Sequence, residues 1–200
     1  MLAAMSRLDA QVEFLLTCDR LKAVTRTTLL HSGERAENSA EHSWHLALMA
    51  LTLGEYAPPG TNLNRVMELL VVHDLVEVYA GDVHFDQSEA GKEQQTRREA
   101  EAAARLFGQL PPDQCDTFWQ AWQEFEAQQS PEARFARALD ALQPMLLTWG
   151  PGGIGSTAHP ELTLGRLLAL KRPALEDFPE LWELAQGTAA RAVTEGIMPR

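Results

Sequence analysis

The sequence predicts an all-α domain of seven or eight helices. Apolar residues recur at three- and four-residue spacings in nearly every segment, alternating strand patterns are essentially missing, and Ser, Asn, Pro and Gly divide the chain into helix-length pieces. The first piece runs from about Ser6 to Val24, with Leu8, Val12, Leu15, Leu16 and Leu21 as its apolar stripe. Ser39 is placed to cap the second helix, with Glu41 and His42 in its first turn. Trp44, Leu46, Leu48, Met49, Leu51 and Leu53 continue it toward Pro58-Pro59-Gly60, where it must stop. Asn62 or Asn64 starts a third helix that ends near Gly81. The stretch from Ser88 to Phe107 reads as a charged surface helix supported by pairs such as Glu93–Arg97. Pro111-Pro112 opens a helix rich in aromatics, and Pro131, at a first-turn position, starts one that runs to Trp149. Residues Gly150 to Thr157 form a glycine-rich flexible loop, followed by helices at about Pro160–Leu170 and Asp177–Glu195. With 200 residues and no internal repeat, the chain suits one domain, 1–200, with its own core, on which the last two helices pack.

Composition excludes several classes. No run of about 18 apolar residues occurs, so no membrane span is expected. The first residues lack a basic segment followed by an apolar one, so they do not read as a signal peptide. Cys18 and Cys115 form no spaced metal pair and are expected to be reduced, in a cytoplasmic protein. A net charge of −11 argues against nucleic acid as a partner, because a phosphate backbone needs a basic face. A small phosphorylated substrate stays open, since a metal and a few arginines can hold one phosphate on an acidic protein.

The residues that point to chemistry are His73 and Asp74, inside an apolar run from Met67 to Val78. A helix of that composition is expected to be buried, and an unpaired buried carboxylate is costly. A bound cation is the natural compensation. Asp140 sits in a similar apolar context, between Phe135, Leu139, Leu142 and Met145, and one cation can serve both carboxylates. His42, in the second helix, completes a set of two imidazoles and two carboxylates. Such mixed ligands suit Mn, Fe, Co, Ni or Zn and not calcium, without choosing among them.

In order, the chain carries Glu41-His42-Ser43-Trp44, then His73-Asp74 followed by Glu77, then Gly81-Asp82, then Asp140. This set, with its HDxxExxxGD run, resembles the HD-domain metal-dependent phosphohydrolases. It looks most like the branch of the bacterial 5′-deoxynucleotidases and their eukaryotic HD-domain relatives. That branch also has an arginine ahead of the first histidine, here Arg26 in the segment Leu21-Lys22 to Thr27. The resemblance spans about residues 14 to 149. It implies an HD-domain helical bundle with one divalent metal ion held by His42, His73, Asp74 and Asp140. It further implies Glu77 as the catalytic carboxylate, Asp82 at the pocket wall, and Arg26 on the substrate phosphate.

Glu77 lies three residues from Asp74 and four from His73, which on a helix turns all three to one side. A carboxylate there can take or return a proton beside a metal-activated water. Arg26 can form a bidentate pair with phosphate oxygens. Gly81, lacking a side chain, is expected to allow close approach at the pocket mouth. The chain departs from the branch at Thr27, where some members have Trp. It departs again at Val83-His84-Phe85-Asp86, where some have Thr-Pro. Both departures bear on nucleoside preference and leave the metal chemistry intact.

The resemblance implies a phosphohydrolase that releases phosphate from (deoxy)nucleoside 5′-monophosphates by attack of a metal-bound water. A phosphodiesterase or pyrophosphohydrolase of the same superfamily is the alternative, and a non-catalytic metal-binding scaffold is a third. A di-iron bundle is excluded, because no histidine has Glu three residues before it. His-Glu-x-x-His, the zinc-protease motif, is missing too. His45 is placed for a supporting or core hydrogen bond, His84 for a possible second metal, and His31 and His159 for loops. The Trp119, Trp122 and Phe125 stripe reads as packing or a dimer face. A homodimer is expected from the resemblance and from these aromatic helices.

Overall fold

A computed structural model of the chain describes residues 6–82 and 89–199. Among the described residues the order is α1 (Arg7–Cys18), a 3-10 turn (Asp19–Ala23), β1 (Thr25–Leu29), β2 (Ala36–Asn38), α2 (Ser39–Thr52), and a 3-10 turn (Gly54–Tyr56). Next come α3 (Leu63–Val72), a 3-10 turn (His73–Val76), α4 (Glu77–Ala80), α5 (Glu89–Phe107), α6 (Pro112–Ala127), α7 (Pro131–Trp149), α8 (Leu164–Leu175) and α9 (Pro179–Thr194). The all-α expectation holds, with one addition. β1 and β2 pair as a small antiparallel ribbon, Thr25 opposite Asn38 and Leu29 opposite Ala36. Three threonines in β1 favour an extended backbone, but five residues are too few to show a clear alternation.

Helix α7 is the centre of the molecule. Ala133, Phe135, Ala136, Ala138, Leu139, Leu142 and Met145 are all inaccessible to solvent. A helix apolar on nearly every side must be enclosed, and α2, α3, α6, α8 and α9 all pack against it. Its start at Pro131 and end at Trp149 match the sequence expectation, with Ser130 capping the Ala133 amide. Pro144 inside it has no N–H, so the Asp140 carbonyl four residues earlier lacks its helical partner.

Local structure departs from the sequence reading at four places. The stripe Leu8, Val12, Leu15 and Leu16 of α1 faces solvent, while Ala10 and Phe14 on the opposite side face the core. Helical period reveals an apolar face but not what covers it. The N-cap of α2 is Asn38, not Ser39: the Asn38 side chain accepts from Glu41 N–H and the Glu41 carboxylate accepts from Asn38 N–H. The helix expected to run unbroken from Asn62 to Gly81 tightens to a 3-10 turn after Val72. Finally, the charged helix α5 is a surface helix only in its first part, since Ala102, Ala103, Leu106 and Phe107 are buried.

The aromatic stripe of α6 serves packing. Trp122 and Phe125 are buried, and the Trp119 and Trp122 rings meet at 5.6 Å. It is therefore not an exposed dimer face. Exposed apolar side chains occur on α1 and on α2, at Trp44, Leu48 and Leu51, and singly elsewhere, as at Val71, Ile154 and Leu184. The glycine-rich segment after α7 is a hydrogen-bonded turn, with Gly153 N–H donating to Gly150 O and Gly155 N–H to Thr148 O. His31, expected in a loop, lies in the turn between the strands, and its ring meets Leu147 O at 3.0 Å and Pro151 O at 2.9 Å.

Candidate metal centre

Three elements bring the expected ligands together. His42 comes from the first turn of α2, His73 from the 3-10 turn after α3, and Asp140 from the middle of α7. Each offers one ligand atom, and these atoms all lie within 4.8 Å of one another. Asp74 adjoins them: Oδ1 is 3.0 Å from His73 Nε2 and Oδ2 is 3.8 Å from His42 Nε2. The tightened turn matters here. In a 3-10 helix residues i and i+3 eclipse, so Asp74 and Glu77 project in one direction.

The chemistry of the donors fits a divalent cation. His73 Nδ1–H donates to Leu70 O at 2.8 Å, which leaves the lone pair on Nε2. That Nε2 is buried and faces Asp74 Oδ1 at 3.0 Å. The ring lies 4.6 Å from that of Phe125, so packing also holds its orientation. His42 is pinned in the same manner. Its Nδ1 faces Gln143 Oε1 at 3.1 Å, and its Nε2 points inward at Asp140 Oδ1, 3.0 Å away.

Gln143 was not foreseen and organises the back of the site. It is fully buried. Its amide nitrogen donates to Glu37 Oε1 at 2.7 Å and meets His45 Nδ1 at 3.1 Å. His45 thus has the core hydrogen bond expected of it. One signal was available for Gln143: an uncharged polar residue three positions after Asp140, in the same apolar run. Glu37 carried no such signal, since its position depends on the ribbon.

Arg26 is drawn into the centre from β1. Its Nη1 lies 3.1 Å from Asp74 Oδ2, 3.5 Å from Asp82 Oδ1 and 4.0 Å from Glu77 Oε1. Its Nε is 3.7 Å from Glu37 Oε2. Asp82 also accepts from the Thr27 backbone N–H, which ties the segment after α4 to β1. Gly81 leads into Asp82 with φ of 75°. A side chain there would meet nothing within 4 Å. Glycine is required for its positive φ and not, as its place at the pocket mouth suggested, for close approach.

Glu77 is nearly buried, and Ser39 Oγ–H donates to its Oε2 at 2.5 Å. This is why Ser39 is not the helix cap. Burial, and then the charge of Asp74, push the Glu77 carboxyl up to about 9 against the opposing effects of Ser39 and Arg26. Asp74 behaves oppositely. Burial alone would raise it, but His73, Arg26 and His42 outweigh burial and hold it at about 2. Two carboxylates one turn apart are thus set as a proton holder and a permanent anion. Ser39→Ala removes a bond that favours the ionised form, so the Glu77 limb of a pH–rate profile moves to higher pH. Turnover should fall about tenfold, as one charge-assisted hydrogen bond is worth. An unchanged profile would show that Ser39 does not tune Glu77.

Burial and Arg26 act to lower the His42 pKa, but hydrogen bonding to Asp140 and Glu37 and the charge of Asp74 raise it to about 9. Without metal, the imidazolium occupies the charge balance that a cation would fill. Metal binding must therefore expel a proton. Apparent metal affinity is expected to rise about tenfold per pH unit up to pH ~9, one proton being released per ion. Titration calorimetry at pH 6, 7 and 8 in buffers of different ionisation enthalpy measures this, and a pH-independent affinity would contradict it. For the metal-free fold the sign is opposite. His42 and Glu77 both have raised values, so the stabilisation they give at low pH is lost as pH climbs toward 9.

Arg26, His73, Asp74, Glu77, Asp82 and Asp140 line one cavity of about 510 Å3, whose wall also includes Thr27, Trp122, Glu99, Arg137 and Lys171, while the fully buried His42 is not part of that wall. Arg137 donates to the outer oxygen of Asp140 at 2.9 Å. Asp140 therefore has both the pair with Arg137 and the place in the cluster. His159 is in the loop before α8, 3.4 Å from Glu161, while His84 lies outside the described residues.

A helical domain with a His/His/Asp cluster facing a charged cavity is the architecture of metal-dependent phosphohydrolases of the HD class. The HD domain family profile matches residues 18–182. The chain belongs to that family. Among solved structures it is similar to one from Magnetospirillum magnetotacticum MS-1, described as a predicted metal-dependent phosphohydrolase. The TM-score is 0.89 and the identity 41%, over 98% of this chain and 97% of that one. It is also 30% identical to 5′-deoxynucleotidase HDDC2 of Danio rerio, over 82% of this chain and 87% of that protein. The Homo sapiens 5′-deoxynucleotidase HDDC2 is 32% identical over 68% of this chain and 65% of its own length.

Proposed function

We propose that the protein is a divalent-metal-dependent phosphohydrolase acting on (deoxy)nucleoside 5′-monophosphates. The observation that carries this reading is the placement of the nearly buried Glu77 carboxyl beside the His42, His73 and Asp140 cluster. The relatives named 5′-deoxynucleotidase supply the substrate class. His42, His73, Asp74 and Asp140 hold the ion, which is Mn, Co, Fe, Ni or Zn. Such an ion, when bound, neutralises phosphate charge and acidifies water. The chain's own residues do the rest. Arg26 turns its guanidinium from the carboxylates toward the phosphate oxygens. Glu77 Oε1 holds a proton and exchanges it with water or with the departing oxygen, while Ser39 fixes Oε2. Asp82 keeps Arg26 and the cavity wall in register.

Among the described residues a single cluster of three or more possible ligands occurs, which favours one ion and a monoester over the two-metal diesterases. The deciding experiment is a screen of divalent metals against nucleoside monophosphates, cyclic diesters and nucleoside triphosphates, with Asp74→Ala and Glu77→Ala controls. Phosphate release from monophosphates that is lost in both variants is the expected result. Full activity of Asp74→Ala overturns the mechanism, diester cleavage alone supports the diesterase reading, and metal binding without turnover supports a scaffold. A homodimer also belongs to this reading, by the resemblance and by the exposed Leu8, Leu15, Trp44 and Leu51; sedimentation equilibrium tests it. Residence in the cytoplasm is supported by the two free cysteines.

A further inference from the structure

A second charged surface lies on the other side of α4 from the metal centre. Tyr79 is two residues beyond Glu77, so the two side chains leave that helix in opposite directions. The Tyr79 ring carries two guanidinium groups. Arg105 of α5 lies 3.8 Å from the ring centroid, and Arg20, in the 3-10 turn after α1, lies 5.3 Å from it. The Tyr79 hydroxyl accepts from Gln109 Nε2 at 3.0 Å, which holds the ring at its far end. Arg98 is two turns before Arg105 on the same face of α5. With Tyr79 and Arg105 it lines an open hollow of about 400 Å3. This hollow shares no lining residue with the cavity of the metal centre.

Three permanent cations thus gather on a chain of net charge −11. Other arginines pair with carboxylates, as Arg7 does with Asp113, Arg35 with Glu41, and Arg65 with Glu68 and Glu124. Among the described residues no carboxylate forms an ion pair with Arg20, Arg98 or Arg105. Glu101 is the acidic residue of the wall; it offsets one of the three charges and leaves two. Guanidinium groups held side by side repel one another, and arginine cannot relieve this by losing its proton. A phosphate dianion has the matching charge, and its oxygens accept from the planar fork of each guanidinium. Contact with the Tyr79 face holds the Arg105 fork in place before an anion arrives, which lowers the ordering cost of binding.

We infer that Arg20, Arg98 and Arg105, gathered around Tyr79, bind a phosphate dianion, free or as the phosphate of a mononucleotide, at a site separate from the catalytic cavity. The site is independent of the phosphohydrolase chemistry above. The experiment follows arginine Nε–H and backbone amide resonances of the isotopically labelled full chain, kept free of metal so that no ester is hydrolysed. Inorganic phosphate is added to one sample, deoxyadenosine 5′-monophosphate to a second, and sodium chloride at matched ionic strength to a third. Arg20, Arg98, Arg105 and the Tyr79 amide are expected to titrate to saturation with a phosphate species and to move little with chloride. The species that saturates them at the lower concentration identifies the source of the phosphate. In Arg98→Gln/Arg105→Gln the binding read at Arg20 and the Tyr79 amide should weaken about tenfold or more, the worth of a charge-assisted contact, while titration at Arg26 persists. Arg98→Lys/Arg105→Lys, which keeps the charge without the fork, should recover part of it.

Shifts that never saturate, and that chloride reproduces, would overturn the inference, because they show only the screening of a solvated patch. Saturable shifts at Arg20 and Tyr79 that survive unweakened in Arg98→Gln/Arg105→Gln would overturn it too, since the anion then binds elsewhere. Both substituted side chains are exposed, so the fold of the double variant is expected to persist.

Discussion

Asp140→Asn is expected to lose metal and activity together, metal affinity falling by more than about a hundredfold. Even the outer partners of metal ligands are worth about 10–100-fold, and Asp140 is one of the three residues whose ligand atoms converge. The substitution keeps the volume of the side chain and an oxygen that can accept from His42 Nε2, so the helix packing of α7 should persist. What it removes is charge. Asp140 is held well below the usual carboxylate range by His42 and Arg137, which outweigh its burial. It is therefore an anion throughout the accessible pH range, and an amide cannot replace that. The measurement is metal content after dialysis, together with the melting temperature with and without chelator. The unaltered protein should melt lower when chelated, since any ligand of the native state stabilises it by mass action. Asp140→Asn should be insensitive. A variant that retains one ion per chain at unaltered affinity would remove Asp140 from the site.

Glu77→Gln separates proton handling from metal binding. The amide can still accept from Ser39 Oγ–H, so the local structure is preserved. It cannot take up or release a proton. Turnover should fall about 10²–10⁴-fold, the usual worth of a positioned acid or base, while metal content and KM stay close to those of the unaltered protein. A second readout is independent of catalysis. Glu77 is raised to about 9 in the metal-free protein, so it contributes to the loss of stability as pH rises from the ordinary glutamate value toward 9. Glu77→Gln should flatten that part of the stability profile. Turnover within threefold of the unaltered protein would exclude Glu77 as the proton handler.

Much of this was legible in the chain. Asp74 and Asp140, each a carboxylate in an apolar run, pointed to a shared cation before any fold was known. They do lie around one centre with His42 and His73. The bounds of α7 were readable from Pro131 and the composition around Trp149. The residues that were not legible share a physical trait: their role depends on a partner distant in sequence. Ser39 looked like a cap because Ser caps helices locally, yet its hydroxyl is used by Glu77, 38 residues on. Glu37 and Gln143 meet across 106 residues. The 3-10 turn at His73 has no breaker residue to announce it; tertiary packing of His73 on Phe125 accompanies it.

The sequence by itself determined the helical class, the ordered set of metal-binding residue types and the proximity of Glu77 to them. Apolar period and local spacing act over a few residues and are written directly in the chain. Only the tertiary structure decided which apolar faces are covered and which protonation states the site adopts. It left the stripe of α1 in solvent and the aromatics of α6 in the core. It also set Glu77 and Asp74, one turn apart, at opposite ends of the carboxylate range. Burial and Coulomb interaction depend on distance in space. Arg26, Asp140 and Lys171 therefore reach the same cavity from β1, α7 and α8 only once the chain has folded.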